Sequence, residues 1–377
     1  MRQHADLITA GALSRRSFIA LLGLAIACRQ SAASVPPLAR APRYGAVVSR
    51  KPDDAAFGPL FVDLASALAA APRGGQRYFI YLAPGIWREK ILIERPNVTL
   101  VGAGQDQTSV VVGDSAGSLD ANGQALGTAA SASVTIAAPG FAAQHLTIAN
   151  DFDYVGARRQ LAADPRGPNG LQAVALRLTD AAANARLQAV TLCGHQDTLW
   201  VEGGGHRFDS CRIEGSVDFV FGGGTALLNG CQIHSRYRPD AGAAQGCVTA
   251  PSTPRSAPLG LVFRNCRLTA DRKIQDGSVH LARAWRPTRD FTDGRYGDPE
   301  AVGMAAFLNC WMGRHVHPDA FTEMSYQAID GSRAWLTPNE ARFVLDGVRG
   351  PARFSALAQR PLQAELRSHI DLLWPDT

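Results

Sequence analysis

Five polar side chains interrupt runs that are otherwise apolar and strand-like: Gln172 in LQAVALRL, Gln196 and Asp197 in LCGHQDTLW, Asp218 in EGSVDFVFGGG and Arg283 in VHLARAWRPT. Desolvation penalises such groups among Val, Leu and Phe unless they are paired or do chemistry. The two aspartates are twenty-one positions apart. On neighbouring rungs of a repeating structure their carboxyls would lie roughly 5 Å apart, repelling by about 3 kcal/mol at an effective dielectric near 20. That is about two pKa units, so one carboxyl keeps its proton near neutral pH. An arginine beside one of them decides which is the anion. A charged and a protonated carboxyl in one site divide nucleophilic and acid–base work between them.

A similar interval, the 20 positions from Cys211 to Cys231, begins a structural period whose later turns are lengthened. RFDSCRIEG, LLNGCQIHS, LVFRNCRLT and AAFLNCWMG share a pattern: an apolar residue, a turn-forming Ser, Gly or Asn, then Cys, a variable residue and Ile, Leu or Met. Short runs such as VTLVG, HLTIAND, QAVTLCG and GLVFRN, punctuated by Gly, Asn and Asp, predict a solenoid of strands. The fold class is therefore all-β, a right-handed parallel β-helix. FGPLFVDLASALAAAP predicts an amphipathic helix ending at Pro72, with Phe61, Leu64 and Leu68 covering the open N-terminal end of the solenoid. From Asn339 onward, NEARFVLDG and FSALAQRPLQAELRSHIDLLW read as helical and peripheral.

The 377 residues divide into a leader, 1–33, and a single domain, 34–377, with no linker inside it. In LSRRSFIALLGLAIAC, Arg15 and Arg16 precede an apolar stretch too short to span a bilayer, the pattern of an export signal of twin-arginine or ordinary secretory type. Acylation at Cys28 would tether the protein to a membrane, in the periplasm or the outer membrane; cleavage after Ala33 would release it. The formal charge of +5 falls to about +2 without the leader, which holds Arg2, Arg15, Arg16, Arg29 and Asp6. With no RNA-binding motif and no basic run with interleaved aromatics, nucleic acid is not an expected partner. Cys211, Cys231, Cys266 and Cys310 occupy the same place in successive repeats and predict an internal stack, although an exported chain would also permit disulfides, Cys211 to Cys231 among them. Neither cysteines nor histidines have metal-ligand spacing, so no metal is expected.

At the catalytic segments the chain resembles the pectinesterase family, the pectin methylesterases, and its secreted bacterial branch in particular. The likeness runs from Tyr44 to the end through GIWREK, GTAASAS, NDFDY, QAVALRL, GHQDTLW, VDFVFG, APST and ARAWRPTRDFTDGRYGDP. It implies a carbohydrate esterase that releases methanol from methyl-esterified galacturonate in pectin, acting as a monomer without a cofactor. By motif position it implies Asp218 as nucleophile, Asp197 as general acid and then base, and Gln172 and Gln196 as amide donors to the oxyanion. Arg283 would hold Asp218. Trp285, Trp200 and Phe221 would form apolar walls for the sugar, with Thr128, Thr288 and Met324 as further substrate contacts. The chain departs from the family at Ala282 and Ala284, where glycine and proline flank the arginine and tryptophan, and at His195, where tyrosine is common.

Rival readings exist for each residue. The aspartates suit coil corners, Gln172 a polar ladder, Arg283 a structural ion pair, and the tryptophans an ordinary core or surface. At the level of the whole chain the rivals are an esterase or thioesterase with a non-pectin substrate, a polysaccharide-binding solenoid, and a glycosidase or lyase. The inverting machinery of the last is not evident. One tension is geometric: alternation along a strand would send Gln196 and Asp197 to opposite faces, so a bend is required there.

Overall fold

The computed structural model describes residues 44–164 and 169–375; the leader expected at 1–33 lies outside them. Residues 43–377 form one compact unit. Among the described residues, three parallel sheets of eleven, eight and seven strands account for nearly all the strand structure. Each coil gives one strand to each sheet. One coil contributes Leu199–Val201, His206–Asp209 and Arg212–Gly215, and the next contributes Val217–Gly222, Ala226–Asn229 and Gln232–Ser235. Leu199 pairs with Val220, Phe208 with Leu228 and Ile213 with Ile233, so the interval in the sequence is one turn of a right-handed parallel β-helix.

Alternation sends every second side chain inward, and the in-register stacking of coils turns these into continuous apolar columns. One column runs Leu187, Phe208, Leu228, Phe263, Phe307 and Leu345, with Phe263 and Phe307 stacked at 4.6 Å and 5°. The turn between the eleven- and eight-stranded sheets needs a left-handed residue. Ser210, Gly230, Asn265 and Asn309 supply it with φ of 51°, 62°, 56° and 54°, which explains the small polar or glycine residue before each repeat cysteine. The cysteines follow as an internal ladder of free thiols. Cys211, Cys231, Cys266 and Cys310 each direct Sγ to a carbonyl of the preceding coil, those of Leu187, Phe208, Leu228 and Phe263, at 3.2–3.5 Å.

Both ends differ from expectation. The N-terminal helix covers only Leu64–Ala69, burying Leu64, Ala67 and Leu68 against the first coil; Leu60–Phe61 is instead an edge strand. Asp63 caps the helix through Ser66 N (2.7 Å), and Glu89 accepts from the amides of Leu64 and Ala65 (2.9–3.0 Å), so the helix starts late because its N-terminal donors are satisfied there. At the other end, Arg342–Asp346 is the last strand of the eleven-stranded sheet, not a helix. Phe343 and Leu345 enter the main core, while Val344 faces Ile370 of the one C-terminal α-helix among the described residues, Ala364–Leu373. Burial on both faces makes such a strand a continuous apolar run, which is indistinguishable by period from helix.

Two antiparallel hairpins leave the solenoid after Arg283: Thr288–Phe291 with Gly294–Gly297, and Met324–Gln327 with Arg333–Leu336. Gln327 Nε2 joins them by donating to Arg295 O (3.1 Å). A helix at Tyr154–Ala163, capped by Asp153, stands over the coil that bears His195. Since Phe263 is fully buried between aromatic and aliphatic neighbours of two coils, Phe263→Ala should cost about 3–5 kcal/mol, read from equilibrium urea unfolding.

Candidate active site

The candidate residues gather along the seven-stranded sheet. Gln172 precedes the strand Leu176–Leu178, Gln196 and Asp197 precede Leu199–Val201, Asp218 lies in Val217–Gly222, and Arg283 follows Val279–Ala282. Backbone bonds fix the stacking. Ala173 N donates to Gln196 O (3.1 Å), Asp197 N to Val217 O (3.1 Å) and Arg283 N to Thr249 O (3.1 Å).

Both aspartates adopt the left-handed conformation, with φ of 65° at Asp197 and 49° at Asp218. At Asp218 the pairing with the next strand shifts register between Val217 and Val220, which marks a β-bulge. This is the bend the sequence required: a left-handed residue breaks alternation, so Gln196 and Asp197 need not point to opposite faces. Such a backbone is uncommon for a side-chain-bearing residue, although aspartate tolerates it better than most.

Arg283 grips Asp218 with two parallel bonds, Nε to Oδ1 at 2.9 Å and Nη2 to Oδ2 at 2.6 Å. The fork geometry identifies Asp218 as the carboxylate. Burial disfavours charge on Arg283, but the adjacent Asp218 anion outweighs it and raises the guanidinium pKa. Asp197 has no such partner. Burial, then the neighbouring charge of Asp218, hold its pKa well above the ordinary carboxylate value, with Arg283 opposing only weakly. Asp197 and Asp218 retain 9 % and 6 % of their surface. The arrangement is a desolvated carboxylate beside a carboxylic acid.

The amides of Gln172 and Gln196 are half-buried and make no side-chain hydrogen bond among the described residues, which leaves their N–H groups available to a ligand. Thr128, on the short helix Gly127–Ala130, is stitched to Gln172 through Ala116, whose N–H donates to Gln172 O (2.7 Å) and whose carbonyl accepts from Gly127 N (2.9 Å). Trp200 and Trp285 are half-buried around Phe221, at 5.0 and 5.9 Å between ring centroids. Phe221 itself is only 3 % exposed, so it supports the tryptophans from beneath and offers little face of its own to a sugar. Thr288 and Met324 sit on the two separate hairpins, exposed and half-buried respectively.

Two contributors escape a reading of the sequence. Glu202, just past the end of the strand Leu199–Val201, accepts from Trp200 Nε1 (2.8 Å) and Gly223 N (3.2 Å), fixing the indole; their i, i+2 spacing was the available signal. Arg177 covers the same indole at 4.9 Å, its rung neighbour in register. Two nearby titratable groups are shifted by their surroundings. His195, stacked on Tyr154 at 5.0 Å, is pushed down to about 3 by burial and by Arg236. The Cys247 thiol is pushed up by burial and by the Asp218 charge. Among the described residues no group of three or more His, Cys, Asp or Glu could hold a metal ion.

A family profile described as Pectinesterase matches residues 58–293. Pectinesterase A of Dickeya chrysanthemi is 40 % identical over 315 residues, covering 83 % of this chain and 85 % of the relative. Among solved structures, pectin methylesterase from Erwinia chrysanthemi superposes with a TM-score of 0.84 at 36 % identity, over 89 % of this chain and 98 % of that one. A pectin methylesterase in complex with a hexasaccharide gives a TM-score of 0.84 at 37 % identity, with the same coverage.

Because the folded pKa of Asp197 is raised, its contribution to stability is complete below the ordinary carboxyl range and is lost as pH rises through the raised value. Asp197→Asn should therefore unfold at higher temperature than wild type at neutral and alkaline pH, by roughly 2 °C or more. The difference should close towards acid pH in thermal melts recorded across the range.

Proposed function

Since the chain belongs to the pectinesterase family, we propose that its paired aspartates carry out the hydrolysis of pectin methyl esters. The enzyme removes methyl groups from galacturonate units and releases methanol. The observation that carries the catalytic reading is the bidentate Arg283–Asp218 pair beside an Asp197 whose burial keeps it protonated.

Asp218 attacks the ester carbonyl carbon as the carboxylate. Negative charge develops on the carbonyl oxygen, where the free amide donors of Gln172 and Gln196 stabilise it. Collapse breaks the bond to the methoxy oxygen, which takes the proton of Asp197 and leaves as methanol. The acyl-enzyme is an anhydride between substrate and Asp218. Water then attacks it, giving one proton to Asp197, now a base, and the second collapse releases the galacturonic acid, which gives its remaining acidic proton to solvent, and restores the Asp218 carboxylate to Arg283. Neutral donors suit this chemistry because a carboxylate is a weak nucleophile towards an ester, and desolvation strengthens both the nucleophile and the donors.

Trp200 and Trp285 present flat apolar surfaces to the sugar, with Glu202 and Arg177 holding the first of them in place. Thr128, Thr288 and Met324 complete the groove from the flanking helix and hairpins. A non-pectin ester or thioester, the alternative raised by Ala282 and Ala284, has no observation in its favour: Ala282 and Ala284 are buried beneath the site and leave its polar groups in place. The enzyme acts as a monomer and needs no cofactor. Residues 1–33 direct export, with Cys28 acylation and cleavage after Ala33 as the two ends of that route. Among the described residues no helix is long and apolar enough to cross a membrane.

In a methanol-release assay on methylated polygalacturonate, Asp218→Ala should lose activity by on the order of 10³-fold or more without shortening of the polymer in either protein. Gln196→Ala should lower kcat by about 10²–10³-fold with KM little changed. An unaltered turnover number for that variant would remove the amide from the oxyanion role.

A further inference from the structure

Outside the catalytic groove, the loop between Pro251 and Leu261, the last strand Arg342–Asp346 and the helix Ala364–Leu373 enclose a cavity of about 650 Å³ lined by Arg255, Arg342, Arg360 and His369. Arg342 and Arg360 are held by neutral groups, while Arg255 stands exposed beside them. Arg342 Nη1 and Nη2 donate to the carbonyls of Ala257 (2.6 Å) and Pro254 (2.9 Å), and Arg360 Nη2 donates to Asn339 Oδ1 (2.8 Å). The Nε atoms of Arg342 and Arg360 are buried with no partner. No carboxylate pairs with any of the three among the described residues, and the one acidic residue lining the cavity, Glu365, is exposed at its rim. Burial and the proximity of Arg255 both disfavour the charge of Arg342. Clustered, immobilised cations lacking a counter-charge are costly to maintain, and an anion relieves that cost.

The volume is that of a ligand site. Guanidinium forks match carboxylates, and Pro258 and Pro361 add apolar surface suited to a sugar face. We propose that this cavity is a second, non-catalytic site for de-esterified uronate chains, the product of the enzyme's own reaction. The identity of the ligand rests on the pectinesterase reading: each turnover converts a neutral ester into a carboxylate on the same polymer, so this anion accumulates where the enzyme works. Binding it away from the reacting groove keeps the enzyme on a long chain by raising the effective concentration of the next ester.

The test is calorimetric titration of unesterified trigalacturonate into the intact protein and into a variant carrying Arg255→Ala and Arg360→Ala, alongside methanol assays. The expected result is two binding events in the wild type and one in the variant, with Arg360→Lys retaining the second event in part. Asp218→Ala should keep the cavity event. On long methylated pectin the double variant should show a raised KM, and on a short methylated oligosaccharide an unchanged kcat/KM. A single event that survives the double substitution overturns the proposal. So does displacement of the second event by inorganic phosphate at concentrations equal to those of the trisaccharide, which would make the cavity a general small-anion site. Loss of methanol release from wild type with both binding events intact would instead strike at the catalytic reading alone.

Discussion

Two carboxyl groups stacked on successive coils of a desolvated sheet repel one another when both are charged, and the rest of the site is organised around which of them holds the charge more easily. Arg283 decides the matter by occupying both oxygens of Asp218. Asp197, left to burial and to its neighbour's field, keeps its proton. Two residues of one type are thus driven towards opposite protonation preferences through environment alone. The solenoid suits this division because its rung spacing places side chains of adjacent coils at a fixed short separation of about 4.8 Å, and because both aspartates sit at left-handed residues on consecutive turns.

The surrounding structure restrains the pair. The backbone of Arg283 is tied to Thr249, one coil before, and its side chain reaches back a further coil to Asp218. Cys247 lies beneath as a small apolar floor. In front, Trp200 is clamped between Arg177, Phe221 and Glu202, which fixes the orientation of its indole. The two hairpins after Arg283 carry Thr288 and Met324 on elements outside the coils, where loop variation can alter specificity without disturbing the carboxyl pair.

Much of this was legible in the chain because the solenoid repeats its constraints. The residue before each repeat cysteine must be left-handed and the cysteine must point inward, so Ser210, Gly230, Asn265 and Asn309 announce the coil period. Gln172, Gln196, Asp197, Asp218 and Arg283 stood out for the same reason: they break an apolar pattern. What stayed hidden was conformational or non-local. Nothing in HQDT or SVDF declares a positive φ, so the clash between alternation and a shared groove could be stated and not resolved. Arg342–Asp346 looked helical because a strand buried on both faces loses its alternation. The support of Trp200 by Glu202 depends on a side-chain bond that spacing permits and does not require.

The thiol ladder carries a last implication. Cys211, Cys231, Cys266 and Cys310 are spent on packing, each sulfur resting against a carbonyl of the coil before it, and Cys193 and Cys247 are free as well. Oxidising any one of these buried sulfurs would therefore wedge neighbouring coils apart.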